Sequence, residues 1–160
     1  MTVRVCSLKT DTPQVIPADG KYHVVRFPFV ESYDAHHMHD PAQPDGRQVK
    51  GWQRDDRAGL IWPAADGWGS LSAMIYWEDG GYTELRDRFV RDPLGLSTGA
   101  DSTATEHRPR SPGQQFFHKS HELFVHPGTP IALLVAHNDS RARRITLAEL
   151  KLAIHPAQES

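Results

Sequence analysis

The densest group of chemically active side chains in the sequence is a short run of histidines ending in an aspartate. His36, His37, His39 and Asp40 stand within residues 36–40. Imidazole and carboxylate groups bind zinc, nickel, copper or iron, so these four residues are the candidate metal ligands. Contiguous loop histidines more often point in different directions, and the chain has no HExxH spacing. We therefore favour a loop whose polar groups cap turns or meet a neighbouring subunit, and we predict no cofactor.

The other reactive side chains do not form a catalytic group at the level of sequence. His118 and His121 have opposite strand parity, so a single strand would place them on different faces. The chain contains no phosphate-binding glycine motif. Cys6, the one cysteine, lies in an apolar alternation and is predicted to be inert packing. We predict that the protein is not an enzyme; a cupin-like metalloenzyme using the histidine loop is the weaker alternative.

Three tryptophans are the candidate ligand-binding residues. Trp52, Trp62 and Trp68 offer aromatic platforms suited to sugars. The competing interpretation is that Trp62 and Trp68 pack a turn. Four Trp, four Tyr and six Phe are more aromatic side chains than we can place inside a small sandwich. Because aromatic residues are enriched at interface cores, this surplus predicts self-association; the alternative is that these residues fill the core and line loops.

Length and composition restrict the class of protein. A chain of 160 residues is expected to form one domain with a sizeable core. Twelve Pro, twelve Gly and short apolar segments favour an all-β sandwich over a helical fold. A formal charge of −2 argues against a nucleic-acid partner, and the absence of a long apolar run argues against membrane insertion. With no signal peptide after Met1, we expect a protein made in the cytoplasm.

The apolar pattern is densest in residues 122–156, around which we expect the fold to be organised. Three apolar segments, residues 123–125, 131–136 and 145–154, are separated by short polar turns, which predicts a β-meander. The continuous middle segment predicts a strand covered on both faces, with Leu134 at its centre. The last segment also has capping-box spacing for a helix, but its alternation of apolar and charged residues favours a strand.

Alternation predicts further strands earlier in the chain. Residues 22–30 and 70–77 are the clearest of these. The turn sequence of residues 79–81 predicts a hairpin between residues 70–77 and 82–90. Weaker strand candidates are residues 48–52, 59–62 and 103–105.

The sequence divides into an N-terminal arm and linker, residues 1–20, and a sandwich domain, residues 21–160. Residues 3–8 alternate, whereas residues 10–20 have a linker composition with two Pro and two Asp. The arm is either an extra edge strand or a segment that docks on a larger assembly. Its sparse apolar content predicts that it is dispensable for folding and needed for incorporation.

Two stretches of the sequence carry a resemblance to a protein family. One joins residues 29–34 to the Met-His-Asp-Pro of residues 38–41. The other joins residues 59–63 to the glycine-aromatic turn and strand of residues 66–73, and closes with the Tyr-Trp of residues 76–77. The pattern resembles small structural proteins of tailed bacteriophages, especially those infecting actinobacteria. It is similar in turn to the jelly roll of complement globular heads and tumour-necrosis-factor-like proteins.

Residues 123–129 and 136–140 fit the same family pattern, although Thr129 stands where the family has Asp. The resemblance implies an all-β jelly-roll sandwich of two antiparallel sheets. It also implies a virion structural protein, a minor tail protein or an exposed capsid decoration, that forms a homotrimer and contacts other capsid or tail proteins. The alternative within this family is a carbohydrate- or receptor-binding module that recognises a host surface glycan.

Overall fold

A computed structural model describes residues 2–30 and 32–157, which form nine β-strands and two short 3-10 helices. The 3-10 helices cover Trp52–Arg54 and Asp56–Gly59. No helix in this described part of the chain has the length and apolar content to cross a bilayer. The strands are β1 (Arg4–Thr10), β2 (Gln14–Ile16), β3 (His23–Val24), β4 (Gly67–Trp77), β5 (Glu84–Arg91), β6 (Asp101–Pro109), β7 (Gln115–Val125), β8 (Ile131–His137) and β9 (Arg143–Pro156).

The strands form two antiparallel sheets, as the sequence predicts. The five-stranded sheet has the order β1-β9-β4-β7, and β2 pairs with the first residues of β9. In β4 the alternate residues Leu71, Ala73, Ile75 and Trp77 are buried, so the predicted face of this strand is confirmed. The four-stranded sheet has the order β3-β8-β5-β6. The main core lies between the two sheets.

The middle apolar segment is a strand covered on both faces, which confirms its prediction. Leu133 of β8 packs in the main core, whereas Ala132 packs on the opposite side against Leu60 and Trp62. Leu134 shares that second side but is only partly buried. Residues 59–62 therefore cover the side of β8 that faces away from the main core. Because both sides of β8 are covered, this strand is apolar at odd and at even positions.

The last apolar segment is also a strand, β9, and not a helix. Ala148, Leu150, Leu152 and Ile154 are fully buried, and the residues between them face outward. However, β7, β8 and β9 do not form the predicted meander, because β8 belongs to the four-stranded sheet and the other two strands to the five-stranded sheet. An apolar run indicates that a strand is buried, but it does not indicate in which sheet the strand lies, because strands of both sheets of a sandwich are buried.

The predicted hairpin through residues 79–81 is wrong, since β4 and β5 lie in different sheets. The connection is fixed by side chains of the neighbouring turn. Asp139 Oδ2 accepts a hydrogen bond from the Gly81 N–H at 2.8 Å. Asn138 Oδ1 accepts hydrogen bonds from the N–H groups of Thr83 at 3.0 Å and Glu84 at 2.9 Å. The glycines of residues 79–81 lie in a connection that passes from one sheet to the other. The local sequence of such a connection is the same as that of a tight hairpin.

Three other predicted strands are shorter or absent. Within residues 22–30 only β3 is a strand; the chain then leaves the sheet, and the Phe27 N–H donates to the Ala58 carbonyl at 3.1 Å. Residues 48–52 lead into the first 3-10 helix, and Asp55 caps the second by accepting from the Arg57 N–H at 2.9 Å. Residues 59–62 have one isolated bridge to β8, at Ile61.

The N-terminal segment contributes an edge strand, one of the two alternatives for residues 1–20. β1 pairs with β9 from Arg4 opposite Ile154 to Thr10 opposite Ala148. Cys6 and Leu8 are almost completely buried in the main core. These contacts argue against the expectation that this segment is dispensable for folding, because its removal takes Cys6 and Leu8 out of the core and uncovers one edge of β9.

Candidate functional site

The outward side of the five-stranded sheet exposes large aromatic side chains. Trp68 of β4 is 48% exposed, and Phe116 and Phe124 of β7 are 58% and 38% exposed. Tyr76 lies on the same side and is partly buried. We call Trp68, Tyr76, Phe116 and Phe124 the aromatic face. Single exposed apolar residues are ordinary, but several on one regular sheet surface mark an interaction site.

The register of β4 and β7 sets the four aromatic side chains opposite one another in two pairs. Trp68 pairs with Phe124, and Tyr76 pairs with Phe116. The ring centroids of Tyr76 and Phe116 lie 4.4 Å apart. Such cross-strand aromatic pairs each stabilise a sheet by roughly 0.2–1 kcal/mol. The aromatic face therefore has one pair near each end of β4.

Polar side chains occupy the middle of this surface. Glu122 accepts hydrogen bonds from Trp68 Nε1 at 3.3 Å and from Ser70 Oγ at 3.2 Å, which orients the indole ring. A shallow groove of about 530 Å³ crosses the strands here, lined in part by Ser72 and Lys151. Glu122 and Lys151 give the surface both signs of charge, so copies of the same surface can pair their charges.

A histidine and an aspartate border the Trp68 end of the aromatic face. His126 Nδ1 lies 2.7 Å from Asp66 Oδ1, and the His126 ring lies 5.0 Å from the ring of Phe124. Both groups of this pair are more than half exposed. The corner thus combines two aromatic rings with hydrogen-bonding groups that remain open to solvent.

The structure does not gather the predicted metal ligands. His36 is exposed, and His37 Nδ1 lies 3.3 Å from Asp40 Oδ2. His39 is buried, with its ring stacked on Phe29 at 4.5 Å and its Nε2 2.6 Å from the Ala58 carbonyl oxygen. Across residues 2–30 and 32–157, no three His, Cys, Asp or Glu side chains are placed to share a metal ion.

An aspartate outside the predicted set organises this loop. The Asp34 carboxylate accepts hydrogen bonds from the N–H groups of Met38 at 2.9 Å and His39 at 2.8 Å. It thereby closes the turn that carries the histidines.

The three candidate tryptophans lie in different parts of the molecule. Trp62 is 5% exposed and packs over β8, and its Nε1 has no hydrogen-bond partner among the described residues. Trp52 begins the first 3-10 helix and is partly buried. Trp68 alone of the three lies on the aromatic face. The predicted sugar platform of Trp52, Trp62 and Trp68 is therefore not assembled as one surface.

The sequence did not single out the aromatic residues of β7. Phe116 and Phe124 have the strand parity of His118, Ser120 and Glu122, which are exposed. An aromatic residue on the polar parity of a strand is the signal that identifies such a surface. His118 lies on this outward parity, whereas His121 lies on the other and its Nε2 is 2.9 Å from Thr103 Oγ1, which confirms their predicted separation. 

A second group of polar residues, which we call the buried ionic cluster after its buried pair Lys119 and Asp87, joins the two sheets, and its member Glu106 is partly exposed. The cluster consists of Asp87 of β5, Glu106 and Arg108 of β6, and Lys119 of β7. Lys119 and Asp87 are each 1% exposed. Burial acts to raise the pKa of Glu106, but the hydrogen bond from Lys119 and the positive charges of Lys119 and Arg108 together outweigh it and hold that pKa below its usual value. The signal in the sequence is again parity, since Lys119 shares the inward parity of Leu123.

Comparison with known proteins identifies the architecture. No protein-family model and no curated protein sequence matches the chain. Among solved structures, Eiger TNF from S. frugiperda matches 100% of this chain and 97% of its own, with 13% identity and a TM-score of 0.63. Murine APRIL at pH 8.0 matches 96% of this chain and 100% of its own, with 11% identity and a TM-score of 0.62.

The globular domain of zebrafish complement 1qA gives a similar result. It covers 98% of this chain and 99% of its own, with 11% identity and a TM-score of 0.59. The fold is a TNF/C1q-like jelly roll. The fold class predicted from the sequence is therefore confirmed. At these identities the likeness establishes the architecture alone.

Proposed function

We propose that this chain is a homotrimeric jelly-roll module whose copies associate through the aromatic face. The observation that carries the proposal is the exposure of Trp68, Phe116 and Phe124 on one regular sheet surface. Aromatic residues are enriched at the centres of protein interfaces, and each buries roughly 150–250 Å² when it is covered. Contact with further copies of the chain covers these side chains without requiring a different partner.

A closed ring of three copies satisfies the surface in every copy. In a closed ring each copy contacts two neighbouring copies, and the rotation about one axis leaves no copy with an uncovered contact surface. Glu122 and Lys151 lie on the same surface as the aromatic residues, so a charge of one copy can meet the opposite charge of the next. The number three rests on the resemblance to complement globular heads and tumour-necrosis-factor-like proteins.

Sedimentation equilibrium of the purified protein tests the trimer. The expected mass is three times 18.0 kDa for the parent chain. Phe116→Glu places a charge within one of the two aromatic pairs of the proposed contact and should give monomers. Val30→Glu is the matched control, because Val30 is 84% exposed and lies outside the five-stranded sheet, so this variant should remain trimeric. A parent chain that stays monomeric at high concentration, or a trimeric Phe116→Glu variant, contradicts the proposal.

The proposed role of this trimer is structural, in the virion of a tailed bacteriophage. It would be a minor tail protein or an exposed capsid decoration, assembled in the host cytoplasm and bound to other capsid or tail proteins. The support is the sequence resemblance of residues 29–34, 38–41, 59–63, 66–73 and 76–77 to such proteins. Mass spectrometry of purified particles should find the protein at a fixed ratio to the major capsid protein. Its absence from particles made by cells that contain the protein contradicts this role.

The second candidate function, glycan binding, is favoured by one observation. The indole ring of Trp68 is half exposed and is held by Glu122, next to the open pair of His126 and Asp66. An exposed ring beside carboxylate acceptors is the chemistry that a sugar face and its hydroxyl groups require. On a glycan array, Trp68→Ala should remove binding and Trp52→Ala should retain it. An array without bound sugars for the parent chain excludes this candidate.

A further inference from the structure

The buried ionic cluster brings an amine and a carboxylate of different sheets into contact. Lys119 projects from β7 of the five-stranded sheet, and Asp87 from β5 of the four-stranded sheet. Lys119 Nζ lies 3.0 Å from Asp87 Oδ1. Both side chains are withdrawn from solvent, at 0% and 2% exposure. The ring of Phe89 lies 5.4 Å from Nζ and forms an apolar wall of the site.

Two further side chains contact this pair in ways that suit a reaction between its members. Glu106 Oε1 lies 2.9 Å from Lys119 Nζ, which is the distance for direct proton transfer. Arg108 Nε donates to Asp87 Oδ2 at 2.6 Å, and its NH2 group donates to Oδ1 at 3.3 Å. The guanidinium thus holds both carboxyl oxygens and withdraws charge from the Asp87 carbonyl carbon.

We propose that Lys119 and Asp87 condense spontaneously to an intramolecular amide, with Glu106 as the proton relay. The cluster is then a self-modification site that links the two sheets covalently. Lys119 Nζ is the nucleophile, and Asp87 Cγ is the carbon attacked. Arg108 stabilises the negative charge that develops on Oδ2 in the tetrahedral intermediate.

The reaction balances without any external reagent. The Lys119 ammonium first gives one proton to the Asp87 carboxylate, which leaves a neutral amine and a carboxylic acid. The Nζ–Cγ bond forms; Glu106 takes a second proton from Nζ and delivers it to the Oδ1 hydroxyl. The Cγ–Oδ1 bond then breaks and one water molecule leaves. The products are a secondary amide whose oxygen is Oδ2, with Glu106 and Arg108 in their original charge states.

The surroundings favour this condensation over a lasting ion pair. The fold holds the reacting groups in contact, and intramolecular placement of this kind corresponds to an effective concentration of about 10⁵–10⁸ M. Formation of the amide removes two buried charges, which are costly to keep away from water. Arg108 NH2 lies 3.1 Å from Glu106 Oε2, so the two charges that remain still form a pair. The Glu106 side chain is 45% exposed, which gives the released water a path to solvent.

Intact mass spectrometry of the denatured, full-length chain tests the proposal. The parent chain should be lighter than its sequence mass by one water molecule, and digestion should yield a branched peptide joining residues of β5 and β7. Glu106→Gln should slow or prevent the loss. Lys119→Arg keeps the positive charge but has no amine that can condense in this way, so it should show its full sequence mass. Its melting temperature should lie roughly 5–15 °C below that of the parent.

Aspartate-glycine sequences provide an internal check, because they can also lose water by forming a cyclic imide. The chain has four such sequences, at residues 19–20, 45–46, 66–67 and 79–80. A water loss that persists in Lys119→Arg, or that maps to one of these sequences, overturns the proposal. A parent chain that keeps its full sequence mass after prolonged incubation at neutral pH overturns it as well.

Discussion

Asp139 holds three parts of the chain together at the corner that follows β8. Its Oδ2 accepts from the Gly81 N–H at 2.8 Å, its Oδ1 accepts from the Ser140 N–H at 2.6 Å, and it forms an ion pair with Arg143. Burial acts to raise the pKa of Asp139, but the Arg143 hydrogen bond and the two backbone N–H groups outweigh it and lower the pKa to about 2. The folded state therefore binds this proton less readily than the unfolded chain.

The lowered pKa predicts a loss of stability in acid. The contribution of Asp139 to the free energy of unfolding is complete above about pH 4, where the carboxyl is ionised in the unfolded chain as well. This contribution is lost as the pH falls towards 2. Asp139→Asn should cost about 1–2 kcal/mol at pH 7 and should lose less stability than the parent between pH 4 and pH 2. Urea denaturation across this range measures both effects. Asp11→Asn, which removes an exposed carboxylate, should lose as much stability as the parent between pH 4 and pH 2. A loss in Asp139→Asn equal to that of the parent would contradict the lowered pKa of Asp139.

Neighbouring leucines of β8 should differ in what they contribute. Leu133 has no exposed surface and packs in the main core, whereas Leu134 lies on the other side and is partly exposed. Leu133→Ala should cost about 3–5 kcal/mol through the cavity it leaves, and Leu134→Ala about half as much. Glu149→Ala on the outward side of β9 should cost about 0.5 kcal/mol or less. Chemical denaturation gives all three values, and a larger loss at Leu134 than at Leu133 would reverse the faces assigned to β8.

At the scale of the elements, β1 is the strand whose removal is most informative. It pairs with β9 over its full length and buries Cys6 and Leu8. Deletion of residues 1–10 should therefore lower the melting temperature by more than 10 °C or prevent folding. Lys9→Ala is the matched control, because the Lys9 side chain is half exposed and its substitution should change little. A deletion variant that melts with the parent would restore the view that this segment is a separate arm.

The sequence predicted which faces of the strands are buried, but it did not predict how the strands pair. Alternation in β4 and β9 reports burial directly, because one side of each strand faces the core. Pairing depends on contacts distant in the chain, such as β1 with β9, which leave no local pattern. The glycines at residues 80–81 show the same limit, since they suit a hairpin and a crossing between sheets equally well.

The candidate surface could be predicted only in part for a related reason. Trp68 stood out as a large aromatic residue in a turn sequence, but Phe116 and Phe124 were not singled out from the sequence. Lys119 shows the reverse case, because its charge suggests exposure while its position in β7 turns it inward. Which partner satisfies a residue on the unexpected side of a strand depends on the whole fold, and a single sequence does not contain that information.

At the scale of the whole molecule, association through the aromatic face predicts that stability depends on protein concentration. A folded trimer is favoured by mass action, so the melting temperature of the parent should rise as the concentration increases. Phe124→Ser should flatten this dependence, because Phe124 is exposed in the single chain and loses surface only in the proposed contact. Scanning calorimetry over a hundredfold range of concentration measures the slope. Equal slopes for the two proteins would exclude Phe124 from any contact between copies.

The position of β9 has a consequence for synthesis in the cell. β9 lies between β1 and β4 in the five-stranded sheet, yet it follows all the other described strands in the chain. Translation at roughly 5–20 residues per second means that β1 leaves the ribosome on the order of ten seconds before β9, the strand with which it pairs along its whole length. Until then, Leu8 of β1 and the inward side of β4 have no completed sheet to enter. A chain terminated before β9 should therefore expose its apolar strands and aggregate instead of forming a smaller folded domain.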